Sequence, residues 1–505
     1  MQPTIMRFTF LFLILILTLH LSAQKSSANQ NTIDTVLIAD STTAPVITKH
    51  QVNINGQVIS YTATTGYLPL KDQRGKIKAN IFFVAYTKDG VNKDTRPITY
   101  AFNGGPGSAS IWLHMGILGP SRAVMNDEGY APNAPFKYEV NAYSWLDMTD
   151  LLFIDPVSTG YSRPAVGEDA QMFHGYTEDI QSVGDFIRYY TTKFERWSSP
   201  KFLAGESYGT TRAAGLSGYL QQRHNIFLNG IILISSVLNF QTLDFTTGNE
   251  MPYVMFLPTY TATAWYHKKL PADMQQRSLK DVVQMARDYA SNEYLLTLMK
   301  GDQLTQQETT GAIQKLHSFT GLSEDFIRRS DLRISDSRFF KELLRDSGRT
   351  TGRLDSRFTG NNRDDAGEGI EFDPSMSNIM GMFSGAMNNY TRKELEYKND
   401  LPYEALTYVG PWEFSSNKFL DVSETLRSAI SQNPYLKVWI ACGYYDLATP
   451  FFAAEYTVHH MGLRHEQQNR ISMTYYEAGH MMYIHKPSLI QLKKDAESFY
   501  QQALQ

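Results

Sequence analysis

A single cysteine in 505 residues leaves no partner for an intrachain disulfide, so stability must come from buried surface. A chain of this length can build a large core. Neither sign of charge dominates: 47 Lys and Arg stand against 51 Asp and Glu, interspersed along the chain. Without a basic stripe or a polyacidic tail, a nucleic-acid partner is not expected. No His/Cys cluster has zinc spacing. The glycine run at 103–107 lacks the lysine of a phosphate-cradling loop. No metal or cofactor is therefore expected. Membrane-directed character is confined to the N-terminus, where Arg7 precedes the apolar run Phe8 to Leu19 and Leu21-Ser22-Ala23 offers a small-residue cleavage site. That run is too short to span a bilayer comfortably and reads as a signal peptide over 1–23. It predicts export to the periplasm or the medium, with no stable membrane anchor after cleavage. Cys442 lies far from this site, which excludes lipid attachment there.

What is present begins with aromatic residues, 13% of the chain, enough for a packed enzyme with an aromatic-lined cleft. Residues 24–46 are rich in Ser, Thr, Asn and Gln and read as a flexible leader. Folded structure is expected from His50, where Gln51 to Thr62 alternates around Asn55-Gly56, a strong hairpin signal. A second hairpin is expected from Ala79–Tyr86 and Pro97–Phe102 around Asp89-Gly90. Short apolar strands follow at 151–154 and 231–234, with a helix from Glu178 to Phe194 between them. This alternation predicts an α/β protein with a mostly parallel central sheet flanked by helices. Beyond Thr246 helical patterns dominate, with capping-box pairs Ser278/Asp281 and Thr305/Glu308 and a third helical segment from Ser335 to Arg345. Strand signals return at Leu436–Ile440 and Arg470–Tyr476. The chain thus divides into a core at 47–245, a mainly helical lid insertion at 246–400 and the rest of the core at 401–505.

Two runs carry chemistry. Gly205-Glu206-Ser207-Tyr208-Gly209 is a G-x-S-x-G, preceded by the apolar strand Lys201–Ala204 and followed by helical spacing from Thr210 to Gln222. Strand, sharp turn and helix expose a serine hydroxyl at the apex. Asn103-Gly104-Gly105-Pro106-Gly107 can aim backbone N–H groups at a developing oxyanion. A serine nucleophile needs a base, and the base an orienting acid. Asp446 follows the strand ending at Ile440, and His480 follows the strand ending at Tyr476. That is the chain order of the hydrolase fold. His114, His459, His460 and His485 are less well placed, and Cys442 reads as a buried core thiol.

These runs resemble the serine carboxypeptidases. The similar segments are Asn103–Ser108, Gly205–Tyr208, Asp155-Pro156-Val157-Ser158-Thr159-Gly160-Tyr161-Ser162, Asp446 with Pro450, and Ala478-Gly479-His480-Met481. The resemblance runs from about Tyr100 to Pro487, skipping the lid. It implies an α/β-hydrolase fold and a serine-type carboxypeptidase acting on peptides, with Ser207 as nucleophile, His480 as base and Asp446 as orienter. It also implies an oxyanion hole from the N–H groups of Gly105 and Tyr208. The substrate's terminal carboxylate would be bound by Asn103, Gly104 and Glu206. Four departures stand out: Ile117 falls where many relatives carry a second glutamate, Ala101 replaces a tryptophan and is expected to open the pocket for the leaving residue, Ser108 stands where relatives often have cysteine, which fits a disulfide-free bacterial-type member, and Tyr444 replaces a common aspartate. An esterase or acyltransferase on the same fold is the alternative, and a non-catalytic binding module a further one. Arg353 and Arg357 are expected in surface ion pairs rather than at a substrate carboxylate. Met376, Met380 and Met387 are expected to pack the lid against the cleft.

Overall fold

In the computed structural model, which describes residues 39–505, the chain opens as a long hairpin, β1 (Val46–Ile54) and β2 (Gln57–Lys71). Asn55 and Gly56 close it with φ of 50° and 81°, the handedness a two-residue turn between twisted strands requires. The strand starts at Val46 rather than His50, and Ala39 is already buried, its carbonyl accepting Asn80 Nδ2 at 2.7 Å. The apolar N-terminal run and the leader up to residue 38 lie outside the described residues.

The remaining strands of the main path are β3 (Ile77–Lys88), β4 (Ile98–Phe102), β5 (Asp150–Ile154), β6 (Lys201–Ser207), β7 (Gly230–Ser236), β8 (Lys437–Gly443) and β9 (Ile471–Tyr476). They lie in the order β1-β2-β3-β5-β4-β6-β7-β8-β9, with Arg163–Pro164 pairing on β3 outside this path. From β5 to β9 every neighbouring pair is parallel, while β1, β2, β3 and β5 pair antiparallel. This is the α/β-hydrolase fold. The expected hairpin between 79–86 and 97–102 does not form. Instead β5 lies between β3 and β4, pairing Phe83 with Ile154 on one side and Ala101 with Phe153 on the other. The physical reason is that both edges of this wholly buried strand need hydrogen-bond partners, and the interior position supplies them, antiparallel to β3 and parallel to β4.

The longer helices are α1 (Tyr176–Lys193), α2 (Tyr208–His224), α3 (Met251–Tyr266), α4 (Leu279–Tyr289), α5 (Gln306–Thr320), α6 (Pro374–Lys393), α7 (Ser423–Gln432), α8 (Phe451–His459) and α9 (Lys486–Ala503). Strand β7 shows how they are shared between the faces. Ile231 and Leu233 join the core built with α1, α2, α3, α4 and α5, whereas Ile232 and Ile234 join the one built with α6 and α9. Ser278 caps α4, Thr305 and Glu308 close a full capping box on α5, and Ser335 precedes a short helix at Asp336–Glu342. Cys442 is buried in β8. Among the described residues no helix is long and apolar enough to cross a membrane.

Candidate active site

Ser207 ends β6 with φ 60° and ψ −132°, a backbone that a residue bearing a Cβ adopts only under strain. The strain follows from the abrupt change from strand to α2, which starts at the next residue. Gly205 and Gly209 permit it: a Cβ on Gly205 would overlap the carbonyl of Gly209, and one on Gly209 would press 2.9 Å from the Phe102 carbonyl oxygen. The Asn103–Gly107 loop lies against the elbow backbone. A Cβ on Gly104 would overlap Tyr208 N and sit 2.7 Å from Gly209 N, so only glycine lets the two loops meet. The Tyr208 N–H, in the first turn of α2, has no intrahelical acceptor.

The loops after β8 and β9 bring Asp446 to His480. His480 Nδ1 lies 2.8 Å from Asp446 Oδ2, and both side chains are buried. Asp446 Oδ1 accepts the N–H groups of Ala448 and Thr449 at 2.8 and 3.0 Å, and Oδ2 also accepts Thr449 Oγ1 at 2.7 Å. Every direction in which the carboxyl could swing is thereby taken. Burial pulls the His480 pKa down, but the Asp446 charge and hydrogen bond, with Glu206 adding to them, leave it raised overall. Among the described residues no hydrogen bond joins Ser207 Oγ to the His480 ring. Both line a cavity of about 210 Å³, together with Asn103, Gly104, Gly105 and Glu206.

Glu206 is buried, with Asn103 Nδ2 donating to Oε1 at 3.0 Å and the Tyr483 hydroxyl donating to Oε2 at 2.5 Å. Burial raises its pKa to about 7, against the pull of His480 and these two donors. Asn103 is itself held at both ends. Its Oδ1 accepts Leu113 N at 3.1 Å, and its carbonyl accepts Arg212, which is ion-paired to Asp179 at 2.8 Å in the interior.

Other candidates fall elsewhere. His114 is buried, its ring stacked on Phe153 at 4.1 Å and its Nε2 2.7 Å from Tyr86 OH. His459 ends α8, His460 is exposed, and His485 precedes α9. Ala101 is wholly buried in the sheet and is not among the residues that line the cavity. Arg357 is in an ion pair, but a buried one, with Asp355 at 2.6 Å. Asp355 in turn accepts Gly479 N at 3.0 Å, and Leu354 O accepts His480 N at 2.6 Å, which pins the histidine loop. Arg353 has no ion-pair partner among the described residues and lines the cavity, contrary to the expected surface pair. Met376 also lines the cavity, whereas Met387 is buried in the core. Tyr483, Arg212 and Asp179 escaped the sequence reading because no motif marks them. The one available signal was the proximity of Tyr483 to His480.

A family model described as serine carboxypeptidase matches residues 53–491. The chain belongs to the serine carboxypeptidase family. Within that family it is 27% identical over 192 residues to serine carboxypeptidase-like 40 of Arabidopsis thaliana, covering 36% of this chain and 35% of that protein. It is 31% identical over 155 residues to the pheromone-processing carboxypeptidase KEX1 of Saccharomyces cerevisiae, covering 28% of this chain and 20% of the yeast protein. Both matches span about a third or less of the relative's own length. Among solved structures, a proline iminopeptidase of Mycobacterium smegmatis covers 87% of this chain and 98% of its own, at 13% identity and a TM-score of 0.38.

Proposed function

We propose that this protein is a serine-type carboxypeptidase that releases C-terminal residues from peptides through an acyl-enzyme. The observation that supports it most is one cavity walled by Ser207, His480 and the buried Asn103–Glu206 pair. Ser207 Oγ would attack the scissile carbonyl carbon while His480 Nε2 takes its proton, with Asp446 holding Nδ1–H. The N–H groups of Gly105 and Tyr208 would carry the oxyanion. His480 then returns the proton to the leaving amine, and water repeats the sequence on the ester. Asn103, Gly104 and a protonated Glu206 would hold the terminal carboxylate, because a carboxylic acid can donate to a carboxylate only while it keeps its proton. Residues 246–400 contribute Arg353, Leu354, Met376 and Ile379 to the cavity wall, which supports reading them as a lid. The N-terminal pattern supports export to the periplasm or the medium.

The direct test compares a blocked dipeptide bearing a free C-terminus with its amide and with simple esters. The free acid should turn over far faster than its amide. Comparable rates on all three would point to an esterase or acyltransferase instead.

Two titrations with opposite signs should shape the pH profile on the free acid. His480 must lose its proton to act as base, so kcat/KM rises with pH on the acid side. Glu206 must keep its proton, so the rate falls as pH climbs through about 7. With Glu206→Gln the falling limb should disappear. A falling limb that persists in this variant rules out Glu206 as the carboxylate ligand.

The exposed, unpaired Arg353 is the cavity's one arginine or lysine among the described residues. Arg353→Glu should lower kcat/KM for peptides with an acidic residue beside the scissile bond roughly three- to tenfold relative to neutral ones. An unchanged ratio would show that Arg353 does not read substrate charge.

A further inference from the structure

The hydroxyl of Tyr483 belongs to no part of the chemistry described above, yet it makes a 2.5 Å hydrogen bond to Glu206 Oε2. Tyr483 is wholly buried and does not line the cavity, so it can reach a substrate only through Glu206. Its ring sits on a single 3-10 turn, Met482–Ile484, just after the His480 loop. Room for that ring comes from Gly116, where a Cβ would overlap ring carbons Cδ2 and Cε2. A phenol wedged against backbone in this way cannot turn aside, so its oxygen is a fixed point against which the Glu206 carboxyl is set.

We propose that Tyr483 is a positioning residue: its hydrogen bond orients the Glu206 carboxyl and favours the ionised form, setting the pH above which a free-carboxylate substrate is refused. The proposal rests on Glu206 being the carboxylate ligand. An O–H donates more strongly to a carboxylate than to a neutral acid, so this contact opposes the burial that keeps Glu206 protonated. The other groups facing Glu206 are Asn103, which also donates to it, His480, whose positive form favours ionisation, and Asp446, whose charge opposes it. All three are unchanged in Tyr483→Phe, which also keeps the ring that fills the space beside Gly116.

The experiment is the pH profile of kcat/KM for a blocked dipeptide with a free C-terminus, in wild type, Tyr483→Phe, Glu206→Gln and the double variant. Tyr483→Phe should move the falling limb upward by about one pH unit, since one charge-assisted hydrogen bond is lost. It should not move the profile of the C-terminal amide, and it should move nothing in the Glu206→Gln background. A Tyr483→Phe limb that stays in place, or a rate lowered equally at every pH, overturns the proposal by leaving only a packing role. Gly116→Ala, which would displace the ring without touching either polar group, should shift the limb in the same direction. The two failures are separable. If the limb survives Glu206→Gln, the carboxylate assignment fails. If it disappears there yet ignores Tyr483→Phe, only the role of Tyr483 fails.

Discussion

Ser207→Ala should lower kcat/KM on the order of a millionfold and abolish labelling by a fluorophosphonate probe, because the proposed acyl-enzyme would lose the oxygen that forms it. The size of the effect reflects cooperation within the site. Without the hydroxyl, neither the His480–Asp446 pair nor the neighbouring N–H groups has a nucleophile to serve, so their contributions vanish together. The fold should hardly notice. Among the described residues the Ser207 hydroxyl has no side-chain hydrogen bond to lose, and alanine meets the same strain at φ 60° that serine does. The thermal midpoint should therefore shift by no more than about 2 °C. Labelling of wild type with none of Ser207→Ala, both folded, is the expected pair of results. Wild type that is folded yet unlabelled would favour a binding module on a hydrolase scaffold.

Asp446→Asn should lower kcat about ten-thousandfold, a smaller loss than that of the nucleophile. Oδ1 could still accept the N–H groups of Ala448 and Thr449, which would hold the amide oxygen on that side. The amide nitrogen would then take the place of Oδ2, facing Thr449 Oγ1 and His480 Nδ1. Thr449 can rotate its hydroxyl to accept. His480 can accept at Nδ1 only by placing its proton on Nε2, the nitrogen that must receive the serine proton. The ring would sit in place with the wrong tautomer. The check is kcat from low to high pH, with KM measured alongside: a large loss in kcat and little change in KM. A loss under tenfold would mean that Asp446 does not orient the base.

How much of this was legible before any coordinates follows from how local each constraint is. The elbow was readable because strand, turn and helix are contiguous and Gly205 is demanded by the Gly209 carbonyl four residues on, whereas the need for Gly209 itself comes from Phe102 and Asn103 on a distant strand and loop. Asp446 and His480 were readable because each follows a short apolar strand, and such strands deliver their loops to one edge of a parallel sheet. The first hairpin was legible in Asn55-Gly56 because both residues tolerate positive φ.

What the chain could not reveal by itself depends on contacts between distant segments. Local spacing favoured pairing 79–86 with 97–102, but the buried strand at 150–154 competes for the same edges and takes them, pairing its own two edges with both segments. Arg353 and Arg357 look alike in sequence, and only packing placed one against Asp355 and left the other facing the cavity. The Tyr483–Glu206 hydrogen bond joins residues 277 positions apart and requires the space left by Gly116, a third distant site. Sequence by itself determined the elements and the chemical groups they carry, because those follow from neighbouring residues. Tertiary structure alone decided which groups share one cavity, because desolvation and hydrogen bonding act only once the chain has brought them within reach.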